Sequence, residues 1–441
     1  MSNLNDELRH LAEDGARQAR PLAVDEVIQR GDRKRRRTIA WLLQQRARPG
    51  GLASPATPGR RFPRWVPPLA AAVVVIAVVV GAATISSAIH GREPAEQRPA
   101  ASTMYVEYLA LGRGRSVVIP VNTATNTPGK PIQANGADGG LAITPDGKRI
   151  YFTGNDEVVP VSTASNRPGK PVQVPGVASN FVMVMNPDGK TVYCVAFMDY
   201  DTIIPARMAI GTVGKPIDVS LNDSPPVITF TPDGKTAYVG TKGDTVTPIN
   251  TATNTPGKPI HVGINPADIA ITPDGKTAYV TGFRGDKVVP VSTVTNTPGQ
   301  PIRIGADAEQ IAITPNGKTV YVLAYGGTIV PVSTATNTPG QPIHISVNAA
   351  ARIIFTPDGK TAYIAGLDGT IIPLSTVSNR LGKPIRISGA GPAVSIVITP
   401  DGKTVYVAAL NKIVPISTAT NKPGKPIRVP YGMPGGAVIT P

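Results

Sequence analysis

The chain has 441 residues, of which 17% are charged, and its 45 glycines and 46 prolines are typical of β structure with many turns. Its formal net charge is +15. One cysteine, Cys194, excludes an intramolecular disulfide, and four histidines exclude a histidine-rich metal site.

The first 65 residues form a basic segment, with 14 Lys and Arg against 7 Asp and Glu. Short apolar stripes in it predict small amphipathic helices, carried by Leu4, Leu8 and Leu11 and by Val24, Val27 and Ile28. The basic run Arg33–Arg37 has three interpretations, which are a topology signal for membrane insertion, a lipid-binding site and a nucleic-acid site. We favour the topology signal, and we expect no specific nucleic-acid partner.

Residues 66–89 carry no charge, and their apolar run predicts one transmembrane helix. The basic residues that precede it predict a cytoplasmic N-terminus and an extracellular C-terminal part. A cleaved signal peptide is the alternative, because Ser86, Ser87 and Ala88 resemble a cleavage site. The 65 residues before the span exceed the usual length before a signal-peptide core, so we interpret 66–89 as an uncleaved anchor in the cell membrane. Residues 90–103 are a polar linker.

The rest of the chain is repetitive. A Pro-Asp/Asn-Gly-Lys tetrad recurs at intervals of 41 to 45 residues, starting at Pro145, Pro187, Pro232, Pro273, Pro315, Pro357 and Pro400. A second marker alternates with the tetrads in eight versions, for example TNTPGKPI at 125–132. This regularity indicates one structural unit that is repeated along the chain.

Each unit contains four short strand patterns, named A to D. In the clearest unit we predict strand A at 268–272, strand B at 277–281, strand C at 287–293 and strand D at 301–304. Four antiparallel strands at this period are typical of a propeller blade. Every strand C holds a proline, which cannot donate to the ladder, so we expect a bulge or an early end of pairing with strand D there.

The two ends of the repeat region complement each other. The unit that begins at Met104 lacks strand A, whereas Ala437–Pro441 is a strand A with nothing after it. Together they complete one blade, so that no sheet edge is left open. The sequence therefore predicts an all-β, eight-bladed β-propeller at 104–441, closed by strands from both ends.

The repeats, such as PDGKTAYVTGFRGDKVVPVSTVTNTPGQPI at 273–302, resemble the YVTN-family β-propeller repeat. The variants TVTPINTATNTPGKPI and ITPDGKTAYV are similar to membrane-anchored versions from actinobacteria. The resemblance implies the propeller scaffold over about three quarters of the chain. Propellers of this wider group include extracytoplasmic binding proteins, lactonases and cofactor-carrying oxidoreductases, so the resemblance implies no single activity.

A repeated catalytic residue would lie at the axial end of each strand A. This position is four residues before the Thr, or Asn186 in one unit, that precedes the proline after strand A. These positions hold Gly140, Val182, Val227, Asp268, Gln310, Arg352, Ser395 and Gly436. They form no ring of carboxylates or histidines, and we predict no catalytic residue, metal or cofactor. Asp268 and Arg352 have two interpretations, a small-molecule site in a polar channel and the wall of a water-filled axis. Cys194 is expected to be a buried, inert thiol.

One unit is irregular, with an enlarged B–C loop and an enlarged D–A loop on the same face. They supply candidate ligand-binding residues, which are Phe197, Asp199, Tyr200, Asp201, Asn222 and Asp223. An aromatic ring beside acids suits a sugar or a cationic group. Decay of the repeat in an unimportant loop is the alternative.

Charge is distributed unequally between the two faces of the predicted disc. The face with the A–B and C–D turns holds seven tetrad lysines, Lys148, Lys190, Lys235, Lys276, Lys318, Lys360 and Lys403. With six PGK lysines and three further basic residues against six aspartates, it is predicted to carry a surplus of ten positive charges, and the opposite face −5. Such a face would attract an anionic polymer or lipid surface. The alternative is that each tetrad lysine only accompanies its own aspartate.

These features predict a membrane-tethered, noncatalytic binding module at the cell envelope. Its expected partners are the membrane, through one helix, and an anionic envelope polymer, a protein or a small ligand. A lactonase-like or other hydrolytic propeller, with a site built from loops, is the alternative. A third interpretation is a scaffold for assembly with other envelope proteins.

Overall fold

The computed structural model describes residues 102–109, 116–133, 140–154, 157–174, 181–196, 202–220, 227–346, 350–387, 395–429 and 432–441. The predicted basic segment, the membrane anchor and most of the linker lie outside these residues. Within the described ranges the regular structure is β, and none of it is a helix of the length and apolarity needed to cross a membrane.

The strands form eight antiparallel sheets, and each sheet is one blade with the order A-B-C-D. Blades are numbered here from the one that contains residue 104. The A strands of blades 1 to 8 are Met433–Ile439, Leu141–Ile143, Phe181–Met185, Ile228–Phe230, Pro266–Ile271, Ala308–Ile313, Ala350–Phe355 and Ser395–Ile398. The B strands are Thr103–Leu109, Arg149–Gly154, Thr191–Ala196, Thr236–Thr241, Thr277–Gly282, Thr319–Ala324, Thr361–Gly366 and Thr404–Ala409.

The C strands are Ser116–Asn122, Glu157–Ser162, Thr202–Arg207, Thr245–Asn250, Lys287–Ser292, Thr328–Ser333, Thr370–Ser375 and Lys412–Ser417. Strand D is split in every blade. Its first halves are Thr127–Pro128, Arg167–Pro168, Thr212–Val213, Thr255–Pro256, Thr297–Pro298, Thr338–Pro339, Arg380–Leu381 and Lys422–Pro423. Its second halves are Ile132–Gln133, Val172–Gln173, Ile217–Asp218, Ile260–His261, Ile302–Arg303, Ile343–His344, Ile385–Arg386 and Ile427–Arg428.

The ring closes by pairing the two ends of the repeat region, which confirms the eight-bladed closure. Met433–Ile439 is antiparallel to Thr103–Leu109, with Tyr105 opposite Val438. The closing strand begins four residues earlier than the predicted Ala437–Pro441. Ala437 and Val438 are each 1% exposed, so the residues at this junction are as well buried as those inside the other blades.

The proline of strand C explains why strand D is split. Val291 pairs with Pro298, and Val288 pairs with Ile302, but the residues between them leave the ladder. Pro290 has no N–H to donate, and its carbonyl instead accepts a 2.7 Å hydrogen bond from the N–H of Gly299. The expected irregularity at the proline is therefore confirmed.

The predicted first residue of strand D, in the prediction of that strand at 301–304, was wrong. In that blade strand D already begins at Thr297–Pro298, because the turn after strand C is shorter than expected. The PGK or PGQ segment consequently belongs to the middle of the outermost strand. It does not lie in a turn on one face of the disc.

The tetrad builds a tight turn between strands A and B. In blade 5 the Thr272 hydroxyl donates to Asp274 at 2.6 Å, and the Lys276 N–H donates to the same carboxylate at 3.0 Å. Gly275 adopts a φ of 72°, which an L side chain rarely tolerates. These hydrogen bonds hold the pKa of Asp274 below its usual value. The turn is therefore stabilised from within its own residues.

The hydrophobic core lies between neighbouring blades. In one such cluster Tyr193 and Val195 of blade 3 pack with Ile228 and Phe230 of blade 4. The rings of Tyr193 and Phe230 meet edge to face with centroids 5.2 Å apart. Each blade is consequently held by both of its neighbours, and the A strands lie against one another around the axis.

The two faces of the disc differ in how they are built. The turn face carries the A–B and C–D turns, which contact each other within a blade, as in the 3.0 Å hydrogen bond from Thr163 N–H to the Lys148 carbonyl. The loop face carries the B–C and D–A loops. There the Phe283 N–H donates to the Asn265 carbonyl at 2.8 Å.

Candidate functional site

The axial end of the A strands on the loop face is polar on one side only. Blades 5 to 8 place Asp268, Gln310, Arg352 and Ser395 at equivalent positions, whereas blades 1 to 4 have glycine or valine there. In blades 5, 6 and 7 the A strand also bulges directly before this position, as between Pro266 and Asp268. A bulge redirects the side chains that follow it. The polar half of the axis is therefore a local departure from the repeat.

Asp268 connects blades 5 and 6. Its carboxylate accepts a 2.8 Å hydrogen bond from the Ile269 N–H and a 3.1 Å bond from the Ile311 N–H in the next blade. Burial raises the pKa of Asp268 to about 6, against the opposing effect of these two bonds and of the Arg352 charge. The carboxyl group thus titrates near physiological pH while it serves as an acceptor between blades.

Arg352 of blade 7 is buried, with 7% of its surface exposed. Burial lowers the pKa of Arg352 to about 10, and the Asp268 charge opposes this shift. The guanidinium therefore stays cationic at neutral pH. Asp268 of blade 5 and Arg352 of blade 7 therefore lie close enough for the charge of each to shift the pKa of the other.

Glu309 adds a further carboxyl group at this end of the axis. It directly precedes Gln310, and burial raises its pKa. Asp268, Gln310 and Arg352, with Glu309 adjacent to Gln310 in the chain, offer both signs of charge and an amide at this end of the axis. Such a set suits a polar ligand with donors and acceptors more than a simple ion.

Two exposed aromatic side chains lie on the loop face of the same blades, and sequence reasoning missed both. Phe283 of blade 5 is 53% exposed, and Tyr325 of blade 6 is 69% exposed. The Arg284 guanidinium lies 5.5 Å from the centre of the Phe283 ring. The detectable signal is a large apolar residue directly after strand B in successive units, at Phe283, Tyr325, Leu367 and Leu410. In the sequence this position is indistinguishable from an ordinary turn, because glycine, asparagine and charged residues follow it directly.

Backbone hydrogen bonds hold these aromatic loops in place. The Tyr325 N–H donates to the Asp307 carbonyl at 2.8 Å, as Phe283 does to Asn265. The Gly285 carbonyl accepts a 2.9 Å bond from the Ala308 N–H and so links the loop of blade 5 to the A strand of blade 6. The rings are therefore presented on loops anchored to the rigid part of the fold, which lowers the entropic cost of binding.

Six predicted ligand-binding residues cannot be placed in this site. Phe197, Asp199, Tyr200, Asp201, Asn222 and Asp223 lie outside the described residues. Cys194 is fully buried, and burial raises the pKa of its thiol to about 12, in keeping with an inert thiol. His261 and His344 are exposed on the outer strand. Among the residues that the structure describes, no three His, Cys, Asp or Glu side chains converge as metal ligands.

The seven tetrad lysines are exposed on the turn face. Four of them form ion pairs with the aspartate of their own turn at 3.4 to 3.9 Å, namely Lys148, Lys235, Lys360 and Lys403. Both partners are well exposed to solvent, so each pair contributes little to stability. The pairing does, however, reduce the charge that this face presents.

The predicted surplus of ten positive charges on the turn face was wrong. The six PGK lysines were counted there, but they belong to the outer strand at the edge of the disc. The three further basic residues, Arg167, Arg380 and Lys422, are likewise the first residues of strand D, so seven tetrad lysines and six aspartates remain in the turns, a surplus of one. The error arose because strand D begins before the PGK segment rather than after it.

No protein-family model and no curated protein sequence matches the chain. Among solved structures it is similar to the dihydro-heme d1 dehydrogenase NirN in complex with DHE, at 12% identity over 87% of this chain and 83% of that one, with a TM-score of 0.64. It is also similar to apo AztD from Citrobacter koseri, at 12% identity over 77% of this chain and 98% of that one, with a TM-score of 0.56.

The chain is an eight-bladed β-propeller. The likenesses to NirN and AztD show this fold alone, because 12% identity transfers no site. Hydrazine synthase from Kuenenia stuttgartiensis also matches, at 19% identity over 66% of this chain and 95% of that one, with a TM-score of 0.49.

Proposed function

We propose that this propeller is a noncatalytic binding module of the YVTN type, tethered to the cell membrane by residues 66–89 and exposed at the cell envelope. Its ligand site is the loop face of blades 5 and 6. The observation that carries the proposal is the pair of exposed rings, Phe283 and Tyr325, on loops anchored beside a polar axial end. Solvent-exposed aromatic rings of this kind are typical of recognition surfaces.

The chemistry of the site favours a ligand with a ring face and polar substituents, such as a sugar. The two rings offer flat apolar surfaces for stacking. Asp268, Gln310 and Arg352 offer acceptors and donors at the axial end of the same blades. Because the Asp268 carboxylate already accepts two backbone hydrogen bonds, we assign it the role of shaping the site rather than that of a catalytic acid.

The test measures binding of N-acetylglucosamine oligomers to the full-length chain in a neutral detergent. Phe283→Ala and Tyr325→Ala should each weaken binding about fivefold, since loss of one stacking contact costs on the order of 1 kcal/mol. Matched controls are Val294→Ala and Val377→Ala, which remove exposed apolar side chains, 76% and 78% exposed, from the turn face. Equal loss in controls and aromatic variants would refute the site.

The same assay separates binding from hydrolysis. A binding module returns the oligomer intact after prolonged incubation, as judged by mass spectrometry. Release of shorter products, abolished by Asp268→Asn, would favour a hydrolytic propeller instead. In that case the raised pKa of Asp268 would suit a general acid in the hydrolysis.

A further inference from the structure

The outer edge of the disc carries its own set of lysines, independent of the aromatic site. Each blade has one Gly-Lys or Gly-Gln pair between the halves of strand D. Six consecutive blades, counted 7, 8, 1, 2, 3 and 4 around the ring, place an exposed lysine there, and we call this set the lysine rim. It consists of Lys383, Lys425, Lys130, Lys170, Lys215 and Lys258. Blades 5 and 6 have Gln300 and Gln341 instead.

The bulge that presents these lysines is built the same way in each blade. The Gly129 N–H donates to the Pro120 carbonyl at 2.7 Å, and a Cβ on Gly129 would lie 3.0 Å from the proline ring. The glycine therefore packs closely on the proline of strand C, while Lys130, the next residue, is exposed. The repeat of this contact sets the lysines at equivalent positions around the circumference.

The rim lysines are free of the neutralisation found on the turn face. None of the six forms an ion pair with a described residue, whereas four tetrad lysines pair with an aspartate two residues away. The second halves of strand D, which flank the rim, add three arginines and one aspartate, and one of these arginines, Arg303 of blade 5, forms an exposed ion pair with Asp286 at 3.5 Å. Their exposed residues are Gln133, Gln173, Asp218, His261, Arg303, His344, Arg386 and Arg428. Fewer of the positive charges on the edge than of those on the turn face are therefore neutralised by nearby aspartates.

We propose that the lysine rim binds a linear polyanion that follows the edge of the disc. The six lysines cover three quarters of a circle, so a flat membrane surface meets only a short arc of them at once. A flexible chain with repeated carboxylates or phosphates bends around the edge and contacts them in succession. Each contact releases condensed counterions, which makes the binding strongly salt-dependent.

The test uses poly-L-glutamate as the probe and the full-length chain in a neutral detergent. A rim variant carries Lys→Gln at all six rim positions, a change already present in blades 5 and 6. A face variant carries Lys→Gln at Lys148, Lys190, Lys235, Lys276, Lys360 and Lys403 and loses the same net charge. Both keep residues 1–65, so the contribution of that basic segment cancels between them.

The rim variant should bind poly-L-glutamate at least about tenfold more weakly at low salt, and its salt slope should become shallower by about 0.7 for each lost contact. The face variant should change the affinity by less than about twofold. A gain-of-function variant, Gln300→Lys with Gln341→Lys, completes the circle and should tighten binding. This variant keeps the proposal testable if the six simultaneous substitutions of the rim variant impair folding.

Equal losses in the rim and face variants would overturn the proposal, because net charge alone would then account for binding. Absence of binding by the unaltered chain would overturn it as well. Binding to vesicles with anionic lipid that depends on the rim, without binding to poly-L-glutamate, would replace the polymer with a membrane. None of these outcomes depends on the aromatic variants that test the loop face.

Discussion

The Tyr406 hydroxyl donates a 2.6 Å hydrogen bond to Oδ1 of Asn126, 280 residues earlier in the chain. Asn126 lies in the C–D turn of blade 1 with a φ of 56°, a conformation that asparagine tolerates better than most residues. Burial raises the pKa of Tyr406 to about 12, so the hydroxyl remains a donor over the whole physiological range. This contact joins blade 8 to blade 1 at the closure of the ring.

The same tyrosine–asparagine hydrogen bond, here called the latch, recurs between other neighbouring blades. Seven tyrosines bond to the asparagine of the following blade at 2.6 to 2.7 Å, in the pairs Tyr105–Asn166, Tyr193–Asn254, Tyr238–Asn296, Tyr279–Asn337, Tyr321–Asn379, Tyr363–Asn421 and Tyr406–Asn126. Between blades 2 and 3 Tyr151 is present, but Gly211 stands where the asparagine should be. That interface lacks the latch because glycine has no side chain to accept the bond.

Gly211→Asn should complete the eighth latch and stabilise the fold. Gly211 already has a φ of 67°, and a Cβ there would make only an ordinary contact, 3.9 Å from Val172. A net hydrogen bond contributes about 1 kcal/mol, and loss of glycine reduces the entropy of the unfolded chain. The measurement is the free energy of unfolding in urea.

The gain should depend on Tyr151. In a Tyr151→Phe background, Gly211→Asn should no longer provide the hydrogen-bond part of the gain. Gly211→Ala should be destabilising, because alanine tolerates a positive φ poorly. An equal gain with and without the Tyr151 hydroxyl would contradict the latch.

Removal of residues 437–441 should lower the free energy of unfolding by several kcal/mol. It breaks the pairing of Met104 with Ile439 and of Tyr105 with Val438, and it exposes apolar surface at the ring closure. Replacement of the same residues by a Gly-Ser segment retains a ladder without side chains and should cost less. A denaturation midpoint unchanged by the deletion would contradict closure by this strand.

Asp268 should make stability fall as pH rises from about 4 to about 6. Because its pKa in the folded state is raised to about 6, the folded chain retains a proton that the unfolded chain has already released. Each unit of difference corresponds to 1.36 kcal/mol, so the effect is at most about 3 kcal/mol. Urea titrations across this range measure it.

Asp268→Asn is the control for this pH dependence. The tetrad aspartates have lowered pKa values and act with the opposite sign, but they are common to both proteins. The difference between the chain and the variant therefore isolates Asp268 and its coupling to Arg352. A difference that is constant from pH 4 to pH 7 would refute the raised pKa.

Protease added to intact protoplasts should remove the propeller and spare residues 1–65. This outcome follows from the basic segment before the uncharged span 66–89, which orients a signal anchor with its N-terminus in the cytoplasm. Immunoblots against each end of the chain measure it. Protection of the propeller until the cells are lysed would reverse the orientation.

Much of the fold was predictable because its information is local. A tetrad such as Pro273–Lys276 makes its own turn, through a glycine with positive φ and an aspartate that accepts hydrogen bonds from neighbouring groups. The residue types of these four positions are therefore enough to predict the turn. The proline of strand C likewise predicts a break in the ladder from its missing N–H. Repetition of these signals, together with the unmatched strands at both ends, determined eight blades and their closure.

Other properties depended on contacts between distant residues. The PGK lysines became an outer rim because pairing with strand C, rather than the turn residues themselves, decides where strand D begins. Asp268 and Arg352 influence each other because the ring brings the A strands of different blades together at the axis. The sequence by itself determined the number and closure of the blades through local backbone chemistry. Only tertiary structure decided which charges and rings share a surface, since that depends on packing between blades.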